Sequence, residues 1–391
     1  MTNESYVPQV KDGKIKSGNL WVLDAFDTDM IMNDVKRMNL NTVNVPIRVD
    51  IPSRTSLTMV INEQQKAKAV NVINVLNENN IHVILEPFPF IQGGRYGETE
   101  WNPSNKKEWF VKWQTGVINP LIEDIANVYD IWGFNISSNL VQLESMESEW
   151  IQMIQNTKNQ YNGKVILRTN WWYTAVWSQE TQNKFVEKIN REYWKYVDFI
   201  STDAWFEITN TAVPDVTEIK ERLKSTNVYN RNQNVLEEIN RFHEVTGKDI
   251  FFGGFNIPAL QYGLQFPWNE EVSNVKSPEI QANGWQAYRE SLEDLDYFLG
   301  FSVWVIGNND PNYSYRVQDG TVDIIHDWFY EEGCSSEEME ELKKEIERLN
   351  AENQSLKIMS NQLKIENVSL QDRNDLLENT INEIKNLLND I

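Results

Sequence analysis

The stretch that decides the fold is Ile131-Trp132-Gly133-Phe134-Asn135-Ile136-Ser137-Ser138-Asn139-Leu140. It is a short apolar run of β-branched and aromatic residues that ends in small polar ones. A strand buried on both faces of a parallel sheet has this pattern, and in a closed barrel it delivers its last side chains to the mouth. The stretch therefore predicts a barrel strand whose polar positions, Asn135 and Asn139, reach a functional surface.

Similar stretches recur on both sides of this one, from Asn19 to Tyr330, and alternate with longer amphipathic segments. Short apolar runs predict strands, and the longer periodic segments predict helices. Eight such units in roughly three hundred residues have the number and size of a (β/α)8 TIM barrel. The predicted strands are 20–26, 42–49, 82–89, 131–137, 165–171, 197–205, 249–257 and 300–306.

An open, doubly wound α/β sheet is the alternative fold for such an alternation. That fold would need a glycine-rich, phosphate-binding turn after the first strand. The sequence has Asp24-Ala25-Phe26-Asp27 there instead. The closed barrel is therefore the preferred prediction.

The composition changes at Glu331-Glu332-Gly333-Cys334-Ser335-Ser336, beyond which there is no proline, glycine or aromatic residue. Apolar residues then recur every seven positions, with asparagines among the residues three positions earlier. This heptad pattern predicts a parallel coiled coil, and leucine at d with asparagine at a favours two strands, while the polar middle leaves three strands open. The predicted oligomerisation residues are Leu342, Leu349, Leu356, Leu363, Leu370, Leu377 and Ile384, with Asn353, Asn367 and Asn374.

The domain prediction has four parts. An N-terminal arm covers 1–18 and the α/β barrel covers 19–330. A linker over 331–336 leads to a long C-terminal α-helical coiled coil over 337–391.

Charge and composition exclude several classes of function. The formal net charge of -22 argues against binding to nucleic acid or to an anionic membrane surface. Cys334 is the one cysteine, and the three histidines lack metal-ligand spacing, so no metal or other cofactor is expected. The N-terminus has neither a basic nor an apolar signal region, so synthesis in a cytoplasm without a signal peptide is expected.

The predicted barrel mouth is polar, acidic and aromatic. No cluster of lysines and arginines converges there, so the mouth suits a carbohydrate better than a phosphate ligand. Aromatic faces, which 15 tryptophans supply in this chain, stack on the C–H faces of sugar rings. The predicted carbohydrate-binding residues are Asp24, Arg48, Glu86, Asn135, Asn139, Asn170, Trp171, Asp203, Trp205, Glu207, Asn256 and Trp304.

From about Leu20 to Tyr330 the chain resembles the endo-β-mannanase family of clan A glycoside hydrolases, family 113. The order and spacing of several stretches support the resemblance together. These stretches are Trp109-Phe110, Tyr161-Asn162-Gly163-Lys164 before Asn170-Trp171, Val197-Asp198-Phe199-Ile200-Ser201-Thr202-Asp203-Ala204-Trp205, Gly247-Lys248-Asp249-Ile250-Phe251-Phe252 and Gly300-Phe301-Ser302-Val303-Trp304.

The resemblance implies a retaining mechanism in which two glutamates act as acid/base and nucleophile. By position these two sites fall on Asn139 and Gly254. An amide does not protonate a leaving group at neutral pH, and glycine has no side chain to attack with. The resemblance therefore predicts a barrel without the catalytic residues of the family. A relocated acid/base pair, Glu86 with Asp203 or Glu207, is the alternative.

These features together predict a catalytically inactive, carbohydrate-binding barrel displayed on a coiled-coil oligomer. The combination is typical of a phage tail or baseplate component that recognises the wall polysaccharide of a Gram-positive host. Its expected partners are a polysaccharide or oligosaccharide, further copies of itself, and other virion proteins. The alternatives are an active glycoside hydrolase with relocated carboxylates and a purely structural virion protein.

Overall fold

A computed structural model describes residues 6–22, 26–308 and 310–331, and separate residues between 344 and 381. The chain divides into two compact units, Met1–Glu331 and Glu332–Ile391. In the part of the chain that is described, none of the helices has the length and apolarity to span a membrane.

The first unit contains a closed barrel of eight parallel strands. Each barrel strand pairs with its neighbours in chain order, and the first pairs with the last, which closes the barrel. One further strand, β3, pairs antiparallel with the end of β2. The strands are β1 (Ile15–Asn19), β2 (Thr42–Ile51), β3 (Val60–Ile61), β4 (His82–Ile91), β5 (Gly133–Ser138), β6 (Lys164–Thr169), β7 (Ile200–Asp203), β8 (Ile250–Phe255) and β9 (Phe298–Val303).

Helices follow the strands and cover the outside of the barrel. Side chains such as Asp27, Asn62, Asn105 and Ser178 cap their N-termini by accepting hydrogen bonds from backbone N–H groups. The α-helices are α1 (Thr28–Arg37), α2 (Glu63–Glu78), α3 (Lys106–Trp113), α4 (Asn119–Leu121), α5 (Glu147–Lys158), α6 (Gln179–Ile189), α7 (Val216–Lys224), α8 (Val235–Thr246), α9 (Pro278–Leu292) and α10 (Asp319–Asp327). Two π-helical turns, Gln114–Ile118 and Ile122–Ala126, flank α4, and short 3-10 helices lie at Glu98–Glu100, Val141–Leu143, Glu192–Tyr196 and Val228–Asn230.

The strands form because their apolar side chains are buried on both faces of the sheet. In β2, Val43, Val45, Ile47 and Val49 are fully buried against the surrounding helices. The opposite face of the barrel wall surrounds a smaller apolar cluster that includes Ile84, Ile166 and Phe251. This arrangement confirms the prediction of a TIM barrel.

The first strand is not where the sequence predicts it. The prediction is 20–26, but β1 is Ile15–Asn19, so residues 15–18 belong to the barrel and not to an N-terminal arm. Lys16, Ser17 and Asn19 are buried in it, and neighbouring elements accept hydrogen bonds from the side chains of Lys16 and Asn19. Lys16 Nζ, for example, donates a hydrogen bond to the carbonyl oxygen of His326 at 2.6 Å.

The second unit is helical wherever it is described between residues 344 and 381. Leu349, Leu356, Leu363, Leu370 and Leu377 all lie in the described helical positions, as do Asn353, Asn367 and Asn374. Leu342 and Ile384 lie outside the described residues. The parallel coiled coil therefore stays a prediction.

Candidate functional site

A cleft of about 700 Å³ lies at the carboxyl ends of the barrel strands. Its walls include two loops, Gly97–Thr99 after β4 and Trp268–Glu271 after β8. A second hollow of about 610 Å³ adjoins it and shares Trp21, Glu270 and Trp304 with it. The two hollows form an elongated depression at the end of the barrel where TIM-barrel proteins bind ligands.

The structure brings half of the predicted site residues together in this cleft. They come from the ends of four different strands and the loops that follow them. These residues are Asn139, Asn170, Trp171, Asp203, Trp205 and Trp304.

Aromatic rings supply much of the cleft surface. Trp304 lies edge-on to Trp21, with ring centroids 5.0 Å apart, and Trp205 lies 5.6 Å from Tyr315. Phe88 adds a further ring beside Trp21. Such rings offer flat apolar faces next to polar groups, which is the surface that a sugar ring contacts.

Arg168 is the central charged group of the cleft floor. Its Nε donates to Asp203 Oδ1 at 2.7 Å, and its Nη1 donates to Glu86 Oε2 at 3.2 Å. All three side chains are at most 5% exposed. One guanidinium therefore binds both carboxylates that the sequence suggests as a relocated catalytic pair.

Amide side chains complete the hydrogen bonds of Glu86. Its Oε2 accepts from Asn44 Nδ2 at 2.7 Å and from Asn135 Nδ2 at 3.0 Å. Asn44 Nδ2 also donates to Asn19 Oδ1 at 2.8 Å. Buried carboxyl groups need this degree of hydrogen bonding, and these contacts hold Glu86 below the cleft surface.

Asn139 follows β5 and joins two carboxylates. Its Nδ2 donates to Asp203 Oδ2 at 2.7 Å and to Glu98 Oε1 at 3.0 Å. Its backbone has a φ of 49°, in the left-handed region that asparagine tolerates better than most residues. Desolvation raises the pKa of Glu98 above its ordinary value, and the hydrogen bond from Asn139 opposes that rise.

Gly254 lies in β8 directly against the Arg168 network. A Cβ atom added there would lie 2.5 Å from Arg168 Nη2 and 2.7 Å from Asp203 Oδ1. At Gly253 a Cβ would lie 2.2 Å from Ser201 Oγ. The absence of side chains at the two glycines therefore makes room for Arg168 and Asp203. It does not widen the cleft.

Five of the predicted site residues do not line the cleft. Glu86 and Asn135 lie beneath its floor. Arg48 does not reach the cleft, because its side chain forms an ion pair with Asp50 and stacks on the ring of Phe90. Glu207 is bound by Arg231 and Trp268, and Asn256 is fully buried, where it bonds the backbone of Trp304 and Tyr315. Asp24 lies outside the described residues.

The sequence prediction missed several residues of the site, of which Arg168 and Glu98 are the most important. Arg168 is a charged residue inside the predicted strand 165–171, and a charge within an apolar strand indicates a buried partner. Glu98 lies in a loop without regular pattern, and no local feature of the sequence distinguishes it. Trp21, Trp268 and Tyr315 also contribute rings that only the fold brings together.

An eight-stranded parallel barrel with an aromatic and acidic cleft at the carboxyl ends of its strands defines the class of glycoside hydrolase-type barrels. A model of Glycoside Hydrolase Family 113 matches residues 29–322. The chain therefore belongs to glycoside hydrolase family 113, and the resemblance found in the sequence is confirmed. No curated protein sequence matches the chain.

Solved structures agree with this assignment at the level of the fold. A GH113 β-1,4-mannanase superposes with a TM-score of 0.61 at 16% identity, over 81% of this chain and 98% of that one. A GH113 β-mannanase from Alicyclobacillus acidocaldarius in complex with ManMIm gives 0.61 at 14% identity, over 81% and 97%. A family 5 mannosidase from Rhizomucor miehei gives 0.52 at 13% identity, over 81% and 92%.

Proposed function

We propose that this member of family 113 binds a polysaccharide or oligosaccharide without hydrolysing it. The observation that carries the proposal is the ion-paired floor of the cleft, where Arg168 forms ion pairs with both Glu86 and Asp203. Retaining hydrolysis needs one carboxylic acid that can give a proton and one free carboxylate, about 5–5.5 Å apart across the glycosidic bond. A guanidinium bound to both carboxylates favours their ionised forms, which disfavours the acid role, and it occupies oxygens that an attacking carboxylate would need free.

The two family positions support the same proposal. By the alignment of the sequence, the acid/base position is Asn139 and the nucleophile position is Gly254. Asn139 uses its amide N–H groups to hold Asp203 and Glu98, and the space beside Gly254 is taken by Arg168. With these contacts, the two positions that correspond to the catalytic residues of the family form part of the floor of the cleft.

The cleft itself suits a carbohydrate ligand. Its rings supply stacking surfaces, and Asn170, Asp203 and Glu98 supply acceptors or donors for hydroxyl groups. Proteins of the same fold include a β-mannanase solved in complex with ManMIm and a mannosidase solved with mannosyl-fructose. A sugar polymer is therefore the ligand class that the cleft chemistry favours.

The C-terminal helix would multiply this site by self-association with further copies of the chain. Leu349, Leu356, Leu363, Leu370 and Leu377 are each 45% to 59% exposed in the single chain, at seven-residue spacing. Burial of such a row against a second copy stabilises a parallel coiled coil. Several barrels on one coil would convert weak sugar binding into avidity, as a receptor-binding component of a phage tail or baseplate requires.

A paired measurement on one preparation tests the proposal. The full chain is incubated with β-mannan and with purified wall polysaccharides of Gram-positive bacteria, and both retention and release of reducing ends are measured. We expect retention without release. We also expect Trp171→Ala combined with Trp205→Ala to abolish retention, because both rings line the cleft. Trp132→Ala, whose ring stacks on His82 at the opposite end of the barrel, is the matched control.

Two results would contradict the proposal. Release of reducing ends that disappears in Glu86→Gln, Asp203→Asn or Glu98→Gln would identify a hydrolase with relocated carboxylates. Absence of retention on every glycan would instead support a purely structural role in a virion.

A further inference from the structure

Four aromatic side chains are exposed on the loops beside the cleft, on one side of its mouth. Tyr173 and Trp177 lie between β6 and α6, Tyr229 lies in the 3-10 helix Val228–Asn230, and Trp268 lies in the loop after β8. Between 48% and 63% of each side chain is exposed. Large rings exposed together on the surface of a folded domain indicate a binding surface.

These rings form one connected surface that begins in the cleft. Trp268 lines the cleft, and its Nε1 donates to Glu207 Oε1 at 3.0 Å. Glu207 also binds Arg231, whose guanidinium lies 4.2 Å from the ring of Tyr173 and 4.9 Å from the ring of Tyr229. We call Tyr173, Trp177, Tyr229 and Trp268, with Glu207 and Arg231 between them, the aromatic track.

The far end of the track is held outward by its backbone. Trp177 Nε1 donates to the carbonyl oxygen of Tyr229 at 3.3 Å. Tyr229, Asn230 and Asn232 all have φ values between 49° and 52°. A bulky residue such as tyrosine rarely adopts this left-handed conformation, which costs roughly 1–2 kcal/mol per residue. The Tyr229 ring stays more than half exposed in this conformation, with Arg231 and Phe266 as its neighbours.

We propose that the aromatic track binds the continuation of a polysaccharide chain whose end or middle occupies the cleft. This inference rests on the proposed function and adds that the ligand is a polymer longer than the cleft. Continuity through Trp268 argues for a single extended ligand. Flat rings alternate with the polar groups of Glu207 and Arg231, and this alternation matches the C–H faces and hydroxyl groups of successive sugars.

The test compares ligand lengths in the full-length chain. The probes are polymeric β-mannan with short manno-oligosaccharides, and a Gram-positive wall polysaccharide with its short fragments. We expect Trp177→Ala combined with Tyr229→Ala to weaken binding of the retained polymer about three- to tenfold per ring. Binding of the short fragments should stay unchanged, because they occupy only the cleft. Avidity through self-association amplifies any loss of affinity per barrel for the polymer, so the unchanged binding of the short fragments is the result that separates the track from the cleft.

The control variant is Tyr330→Ala. Tyr330 has similar exposure but pairs with Val10, before the first strand. If the wild type and the double variant bind the polymer equally, the role proposed for the aromatic track is wrong, but the proposed function is unaffected. Equal weakening of short and long ligands would also contradict the role of the track, because the rings would then act within the cleft. Failure of the wild type to bind any probe would overturn the proposed function as well.

Discussion

Arg168 determines the chemistry of the cleft floor at the scale of the single residue. Its guanidinium satisfies two buried carboxylates, and Asn139 and Asn135 satisfy their remaining acceptors. A planar fork with five donors suits this task better than the single ammonium group of lysine. The same contacts fix the positions of Glu86 and Asp203 in the floor of the cleft.

Arg168→Met should destabilise the barrel by about 3–5 kcal/mol at pH 7, because it leaves two buried carboxylates without a cation. Burial already raises the pKa of Asp203, and loss of Arg168 removes the contact that opposes this rise. The folded variant therefore binds more protons than its unfolded chain, so its stability falls as the pH rises and its defect shrinks toward pH 5. Urea unfolding at both pH values measures the difference.

Arg54→Met is the control for this substitution. Arg54 and Glu100 form an ion pair in which both side chains are about half exposed. Such surface pairs contribute at most about 1 kcal/mol. A defect of Arg168→Met no larger than that of Arg54→Met would show that the guanidinium is not needed to hold the two carboxylates.

The elements of the barrel differ in how well the sequence predicts them. β2 has apolar residues at every second position and β4 is a mostly apolar run, so the sequence predicts both within two residues of their observed ends. The sequence does not predict β1, because Lys16, Ser17 and Asn19 are polar residues of a kind expected in an exposed arm. Their burial depends on residues that are distant in the chain. Arg168 was inside a predicted strand, but its role depends on β4 and β7 together.

β1 also provides a pH-dependent contribution to stability through Lys16. Burial lowers the pKa of Lys16 to about 7, although Asp327 and Glu293 favour its charged form and Arg289 opposes it. Between pH 7 and the pKa of an unfolded lysine, the unfolded chain holds more protons than the folded one. Stability from this group therefore rises with pH over that interval, by up to about 1.4 kcal/mol per pH unit.

Lys16→Met should remove this slope between pH 7 and 9. Urea unfolding of the wild type and the variant at several pH values gives the difference directly. Lys11→Met, at an exposed position just before β1, serves as the control. If the wild type and Lys16→Met gain stability in parallel as the pH rises, Lys16 is not the group responsible.

The whole molecule combines a barrel with a helical segment that presents a row of leucines. The heptad pattern predicted this segment from sequence alone because it repeats locally and needs no knowledge of distant contacts. The cleft can be predicted only in part, because several strands and loops that are distant in the chain contribute to it. Its aromatic and acidic character was predicted, whereas its ion pairs depend on the fold.

Removal of the chain from Ser335 onward should leave a folded, monomeric barrel. The barrel closes through β1 and β9, and both strands lie before the cut. The full chain should be a dimer or trimer in light scattering after size exclusion, and the truncated chain should keep the circular dichroism spectrum of an α/β barrel. A truncated chain that stays oligomeric would contradict the role assigned to the C-terminal helix.

The contact between Gly254 and Arg168 also restricts how this barrel can change. A glutamate introduced at Gly254 would collide with the guanidinium, whereas a prior loss of Arg168 would leave its two carboxylate partners without a cation. A glutamate at Asn139 would further break the amide bridge between Glu98 and Asp203. Every single step therefore lowers stability before any catalytic pair is complete. The three positions therefore constrain one another, and we expect Gly254→Glu and Asn139→Glu each to lower the urea concentration at which the barrel unfolds.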